Sequence, residues 1–236
     1  MSSSLRFQLP LLNAAQAQKH VTLNEALVKA DALASARVES LVLTTPPTGA
    51  VDGEAYVVGA GATGDWAGED GKLALFLNGG WDFLAPWSGM TVWVEDQRAT
   101  AIFVDDTWLP GRVGGAAGGA ATLTRVVEID HTLAPGVVST TGDVIPDKAI
   151  VLGVTGRVLE SVAGATSWSL GVPGSSNRYG SGYGTSLNAF AHGVTGQPQA
   201  YFGATPLEIS ADGGSFTDGK IRLAIHYADL RPPTAV

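Results

Sequence analysis

Cysteine is absent from this 236-residue chain, which excludes disulfides and thiolate metal sites. Charge is scarce too: Asp, Glu, Lys and Arg make up 15% of residues, where an ordinary soluble domain carries ~25%. What charge exists leans negative, with 14 Lys and Arg against 22 Asp and Glu for a net charge of -8. No basic run occurs, so the cationic face that phosphates require is missing and no nucleic-acid partner is expected. No apolar run approaches the ~18 residues of a membrane span, so membrane insertion is not expected.

Catalytic signatures are missing as well. The four histidines, His20, His131, His192 and His226, contain no pair at i, i+4 and no H-E-x-x-H. His226 reads as a surface or inter-subunit residue. There is no G-x-S-x-G elbow and no P-loop. Asp65, Glu69 and Asp70 share a glycine-rich turn without EF-hand spacing, so a solvated turn is the favoured reading. A glycosidase needs two carboxylates facing one bond, and neither Asp143 nor Asp147 can be paired on spacing. The chain is therefore expected not to be an enzyme and to need no cofactor or metal.

What is there in abundance is glycine, 31 residues, nearly double the usual ~7% share. Apolar residues make up 45% of the chain, too many for disorder. Low charge with much Gly, Ala, Thr and Val suits an all-β protein that hides surface in an oligomer.

Residues 1–12 read as an extended apolar arm, and the Ala and Gln content of Asn13 to His20 favours helix. Thr22-Leu23-Asn24-Glu25 has the form of a capping box, predicting a helix from about Leu23 to Ser40. Leu23, Leu27, Ala30, Ala34 and Leu41 fall on one stripe, which packs either on copies of itself or on the β-structure that follows. Thr44 to Gly49, with Pro46 and Pro47, stops the helix. A compact β-module is then expected, with strands at Ala55–Gly59, Leu73–Leu77, Trp81–Leu84, Thr91–Val94 and Ala101–Val104 and a hairpin at Asn78-Gly79. Trp66, Trp81, Trp87, Trp93 and Trp108 lie in this module and are expected to form its core.

The run Leu9-Pro10-Leu11-Leu12-Asn13-Ala14-Ala15-Gln16-Ala17-Gln18-Lys19-His20 through Ala26 resembles the opening of the DUF2793 family. Asp52-Gly53-Glu54-Ala55-Tyr56-Val57-Val58-Gly59, Gly64-Asp65-Trp66, Gly80-Trp81-Asp82-Phe83 and Pro86-Trp87-Ser88-Gly89 are similar to the rest of its pattern, over about residues 5–110. Such proteins occur in alphaproteobacterial phages and phage-like gene transfer agents, as tail-fibre or head-spike components. The resemblance implies a place on the exterior of a virus-like particle, attachment to other particle proteins through the N-terminal arm, and a homotrimer. Residues 1–20 lack the pattern of a signal peptide, so synthesis in the cytoplasm and release by lysis are expected.

Arg112 to Ala121 reads as a Gly/Ala linker and the clearest domain boundary. The domains expected are thus 1–45 for arm and helix, 46–112 for the Trp-rich module, 113–121 for the linker and 122–236 for a C-terminal antiparallel β-sandwich of jelly-roll kind. Strands are expected around Thr124–Asp130, Val151–Glu160, Ser167–Gly171, Pro206–Ala211 and Lys220–Tyr227. In the last, Ile221, Leu223, Ile225 and Tyr227 share one face, and Arg222, Ala224 and His226 the other. Short pieces such as Ile145-Pro146-Asp147-Lys148 and Asn177-Arg178-Tyr179-Gly180 are similar to the C-terminal domains of fibre proteins from the same particles, which implies a receptor-contacting tip.

From Trp168 to Phe202 glycines alternate with aromatic and polar residues. The stretch excludes a helix and offers no uninterrupted strand. It is either a set of tight turns or a binding region. Aromatic faces cover the C–H patches of sugars, while amide, hydroxyl and guanidinium groups take the hydroxyls. Trp168, Tyr179, Tyr183 and Tyr201, with Asn177, Arg178, Asn188, His192 and Gln197, supply both kinds. A glycan site for a cell-surface polysaccharide is expected there. Trp168 is either core or ligand platform, and Asn177 to Tyr183 is the part expected to be exposed or at a subunit seam.

Overall fold

The computed structural model describes residues 19–34 and 36–235, so the arm expected over residues 1–12 lies outside the described residues. The chain divides into two compact units, residues 1–112 and 113–236. Both are built mainly from antiparallel sheet, with one α-helix among the described residues.

Helix α1 covers Lys19–Ala34. It holds Thr22 and Glu25 within its turns, so the capping-box reading is corrected. Its end also falls short of Ser40. Arg37–Val38 is instead strand β1, paired in parallel with Trp93 and Val94, and Val38 is fully buried. Ladder hydrogen bonds and burial of one valine outweigh two further residues of helix. Ala32 and Leu33 pack against the first unit's core, while Ala30 and Ala34 of the expected stripe are exposed. An ion pair between Lys29 and Asp82 at 2.9 Å adds a tie to the sheet.

The first unit continues with β2 (Ala55–Val57), β3 (Leu73–Leu77) and β4 (Gly80–Leu84), which form one antiparallel sheet. Next come β5 (Thr91–Val94), β6 (Ala99–Val104) and β7 (Thr107–Pro110), which join β1 in the order β1-β5-β6-β7. Asn78 and Gly79 both have positive φ (52° and 77°), as a two-residue type I′ hairpin demands. Asp105 and Asp106 repeat that geometry at the β6–β7 hairpin, with φ of 50° and 55°. One core lies between the sheets, around Val38, Val57, Leu75, Val92 and Val94.

A second, aromatic core lies around Tyr56, Trp66 and Trp81, with the Trp66 ring 5.6 Å from Tyr56 and 5.0 Å from Trp81. Trp66 is fully buried, and Trp108 is half-buried with its Nε1 donating to the Gly71 carbonyl at 3.0 Å. Trp87 and Trp93 are exposed, which corrects the expectation of a five-tryptophan core. On β5 the alternation places Val92 and Val94 inward, so Trp93 must point outward, where its Nε1 donates to Glu95 at 2.8 Å.

The second unit is a sandwich of β8 (Arg112–Gly115), β9 (Ala121–Thr132), β10 (Val138–Ile145), β11 (Ile150–Ala163), β12 (Ser167–Gly171), β13 (Phe190–Ala200), β14 (Thr205–Asp212) and β15 (Asp218–Arg231). Five strands run in the order β13-β11-β15-β9-β8, and three in the order β10-β14-β12. The core between the sheets takes Val154, Leu223 and Ile225 from the first and Leu170, Leu207 and Ile209 from the second. The face assignment read from the Lys220–Tyr227 alternation holds: Ile221, Leu223, Ile225 and Tyr227 are buried.

The Gly/Ala run is not a free coil. Its first part is β8, and a turn returns it to β9 through Ala116 N–H to Ala120 O at 2.9 Å. Without side chains to satisfy, its backbone groups find partners along the sheet edge. No helix among the described residues is long and apolar enough to cross a membrane.

Candidate binding site

The stretch from Trp168 to Phe202 contains two strands, β12 and the eleven-residue β13, which corrects the expectation of no normal strand. Between them, residues 172–189 run back along β12. Trp168 and Tyr183 exchange both backbone hydrogen bonds, at 3.1 and 2.9 Å, and Leu170 pairs with Tyr179 and Gly180. Further on, Thr185, Asn188 and Ala189 bond to Val158 and Val162 of β11. The segment is thereby fastened to both sheets.

The glycines have a packing reason there. A methyl group on Gly193 would overlap the Tyr179 carbonyl, and one on Gly171 would overlap the Ser175 carbonyl. Backbone-to-backbone approaches of this closeness require the absence of Cβ. The glycine spacing thus serves tight stacking of the segment on the sandwich.

The aromatic residues of the expected site face inward. Trp168 is fully buried, its Nε1 donating to Gly184 O at 2.9 Å and its ring 4.9 Å from that of half-buried Tyr183. Tyr179 and Tyr201 are buried with their hydroxyls 2.7 Å apart. Tyr183 donates its hydroxyl to the Tyr179 carbonyl. Burial first, and then the Tyr201 hydroxyl, pushes the Tyr179 phenol far above its ordinary value. A sugar cannot lie on the rings of Trp168, Tyr179 or Tyr201 without opening the core; of the two readings of Trp168 the structure has the core one, and Tyr179 and Tyr201 are corrected from platform to core.

The polar members are exposed but lie in two places. Arg178 donates to Gln199 Oε1 at 3.1 Å, beside Asn177 at the turn following β12. Asn188 and His192 belong to the region of the five-stranded sheet. Asn188 O accepts from Arg157 Nη1 at 3.0 Å, and His192 stands directly opposite Thr155 on β11.

There the outer face of the sheet carries a cleft of about 450 Å³, lined by His192 and by residues the sequence did not single out as a site, among them Thr155, Arg157, Phe190, Arg222 and Glu128. The register explains their grouping. One row across the sheet is His192, Thr155, Ala224 and Glu128; the next is Phe190, Arg157, Arg222 and Asp130. Each strand contributes alternate residues to this face, so the row members stand at ladder spacing of about 4.8 Å. The floor is fixed by the ladders on both sides of β11 and β15.

Arg222 is forked onto Asp130, with Nε and Nη2 donating at 2.6 and 2.9 Å, and Glu128 lies 3.6 Å from its Nε. Hydrogen bonding from Arg222 holds the Asp130 carboxyl below its ordinary value against the opposing effect of burial, with a lesser contribution from the charges of Arg222 and Lys220. Thr155 Oγ1 and His226 Nε2 are 3.0 Å apart beside the cleft. Phe190 is 66% exposed. The half of this face formed by Arg222, Ala224 and His226 was legible in the alternation of β15; the half supplied by β11 and β13 depends on strand order, which alternation does not reveal.

No group of three or more His, Cys, Asp or Glu able to hold a metal occurs among the described residues. In the first unit, Asp70 accepts from the Gly61 and Ala62 amides at 2.7 and 3.0 Å, so that carboxylate fastens a loop.

Residues 23–109 match the family described as "Protein of unknown function (DUF2793)". No curated protein matches the chain. Among solved structures it is similar to a chain of the "Cyanophage Pam1 capsid asymmetric unit", 27% identical over 49% of this chain and 90% of that one, with a TM-score of 0.34. A superposition that loose establishes no common fold.

Proposed function

We propose that this chain, with a DUF2793 domain preceding a β-sandwich, is a fibre or spike subunit of a phage-like particle that binds a host cell-surface polysaccharide through the sandwich. The DUF2793 resemblance supports the place on a particle. The observation that carries the binding role is the cleft on the five-stranded sheet, where an exposed ring and guanidinium, imidazole, hydroxyl and carboxylate groups converge on a rigid floor. That mixture suits a ligand with alternating C–H and hydroxyl surface. With subunits assembled as a homotrimer, weak binding at each cleft multiplies into firm adsorption. The role is binding and not cleavage.

Labelled full-length chain is expected to bind host cells saturably, and to be competed off by purified host surface polysaccharide. Phe190→Ala should weaken that binding at least tenfold while Asn177→Ala leaves it unchanged. Equal binding to cells stripped of polysaccharide would remove the receptor role. Release of reducing ends from the polysaccharide would make the chain a depolymerase.

A structural adaptor is the second reading, favoured by one observation: Val126 and Val194 are exposed, at 60% and 70%, on the same sheet face. Under it, Val194→Asp blocks incorporation into particles, whereas under the receptor reading particles assemble and adsorption alone changes.

A further inference from the structure

We propose that the sheet-face cleft selects an acidic sugar, a uronic acid or similarly carboxylate-bearing residue, and that Arg157 takes its carboxylate. This rests on the polysaccharide reading above.

Two guanidinium groups stand directly opposite each other on this face, Arg157 on β11 and Arg222 on β15. Like charges so placed are unfavourable in a sheet unless neutralised. Arg222 is neutralised by its fork onto Asp130 and by Glu128. Arg157 is not. Its partner on the other side is Phe190, its hydrogen bond goes to the neutral Asn188 carbonyl, and no carboxylate lies within ion-pair distance of it among the described residues. Arg157 is exposed and lines the cleft. A guanidinium carries five N–H donors in a fixed plane, and a carboxylate is the group that fits two of them at once.

The surroundings select for one carboxylate on an otherwise neutral ring. Phe190, adjoining Arg157, offers a face for the ring's C–H patch. Glu128 and Asp130 occupy the strand beyond Arg222, so a densely anionic chain such as a polyphosphate is repelled there, while sugar hydroxyls can donate to Glu128. The order across the sheet (ring, guanidinium without a counter-charge, neutralised guanidinium, carboxylates) orients the sugar with its acid toward β11 and its hydroxyls toward β9.

The test uses full-length protein with two probes: host polysaccharide, native and carboxyl-reduced, and oligogalacturonate, acidic and methyl-esterified. Titration calorimetry should give at least tenfold tighter binding to each acidic form. Arg157→Ala should erase that preference, and Arg157→Lys, which keeps charge but not the fork, should recover only part of it. Thermal unfolding of Arg157→Ala should stay close to that of the parent, because Arg157 is exposed and loses only its exposed hydrogen bond to the Asn188 carbonyl. Equal affinity for native and carboxyl-reduced host polysaccharide, or an acid preference that survives Arg157→Ala, overturns the acidic-sugar assignment and leaves polysaccharide binding intact. Failure to bind either form of host polysaccharide overturns the underlying reading as well. An Arg157→Ala variant whose oligomer dissociates while sugar affinity is unchanged gives the cleft to a second copy of the chain and also overturns the assignment.

Discussion

The hydroxyls of Tyr179 and Tyr201 meet at 2.7 Å inside the sandwich core, joining the segment after β12 to the end of β13. Each satisfies the other in surroundings otherwise apolar. Tyr179→Phe strands the Tyr201 hydroxyl, and a buried donor or acceptor left unpartnered costs about 1–3 kcal/mol. The double change, Tyr179→Phe with Tyr201→Phe, removes both groups and is expected to cost less than the sum of the two single changes. Urea unfolding midpoints of the four proteins check this; strictly additive costs would show that the hydroxyl pair is not coupled.

Tyr56 gives the first unit an alkaline limit. Burial chiefly, then its hydrogen bond to Glu54 at 3.1 Å and the charges of Glu54 and Glu39, push this phenol up to about 12. The folded state therefore holds the proton more tightly than the unfolded state does. The resulting stabilisation is fully present below the ordinary tyrosine value of ~10 and is lost as the pH rises through about 12. Ultraviolet titration should show one tyrosine ionising together with loss of the first unit's near-ultraviolet dichroism. Tyr56→Phe should flatten the dependence over that window, and an unchanged alkaline profile in the variant would assign the limit elsewhere.

Asp70 sets the opposite limit. The Gly61 and Ala62 amides hold its carboxyl below the ordinary value, and burial opposes them slightly. The stabilisation is present above the unfolded carboxylate value of ~3.9 and is lost as the pH falls through the lower folded value. Asp70→Asn should lower the melting temperature at neutral pH and bring it toward that of the parent in acid. A melting-temperature difference that stays constant with pH would mean that the charge is not what holds the loop.

The two-residue hairpin at Asn78-Gly79 and the alternation at Ile221, Leu223, Ile225 and Tyr227 could be read from sequence because each is local: one turn chemistry, one period of two. Strand β13 could not, since Gly193, Gly196 and Pro198 carry the marks of a turn, and the reason Gly193 is there lies on another strand's neighbour, Tyr179. Tyr179 and Tyr201 among glycines and polar side chains have the composition of a sugar site; the close backbone packing that Gly193 permits against Tyr179 goes with their burial. The cleft is legible only in part for a similar reason. Arg157 and Arg222 are separated by sixty-odd positions, and their opposition follows from a strand order that neither segment encodes alone. The tryptophans divided by the same logic: Trp93 sits on β5 at a position the alternation turns outward, whatever its hydrophobicity.

The segment 172–189 has one more consequence for assembly. By lying along β12 it occupies the backbone donors and acceptors that would otherwise form an open rim to the three-stranded sheet. An incoming extended chain finds no template on that side, so subunits cannot polymerise there by strand addition, and misfolded neighbours cannot be recruited by it. Any neighbour that meets this flank does so through side chains, which form contacts that can be made, broken and chosen by shape.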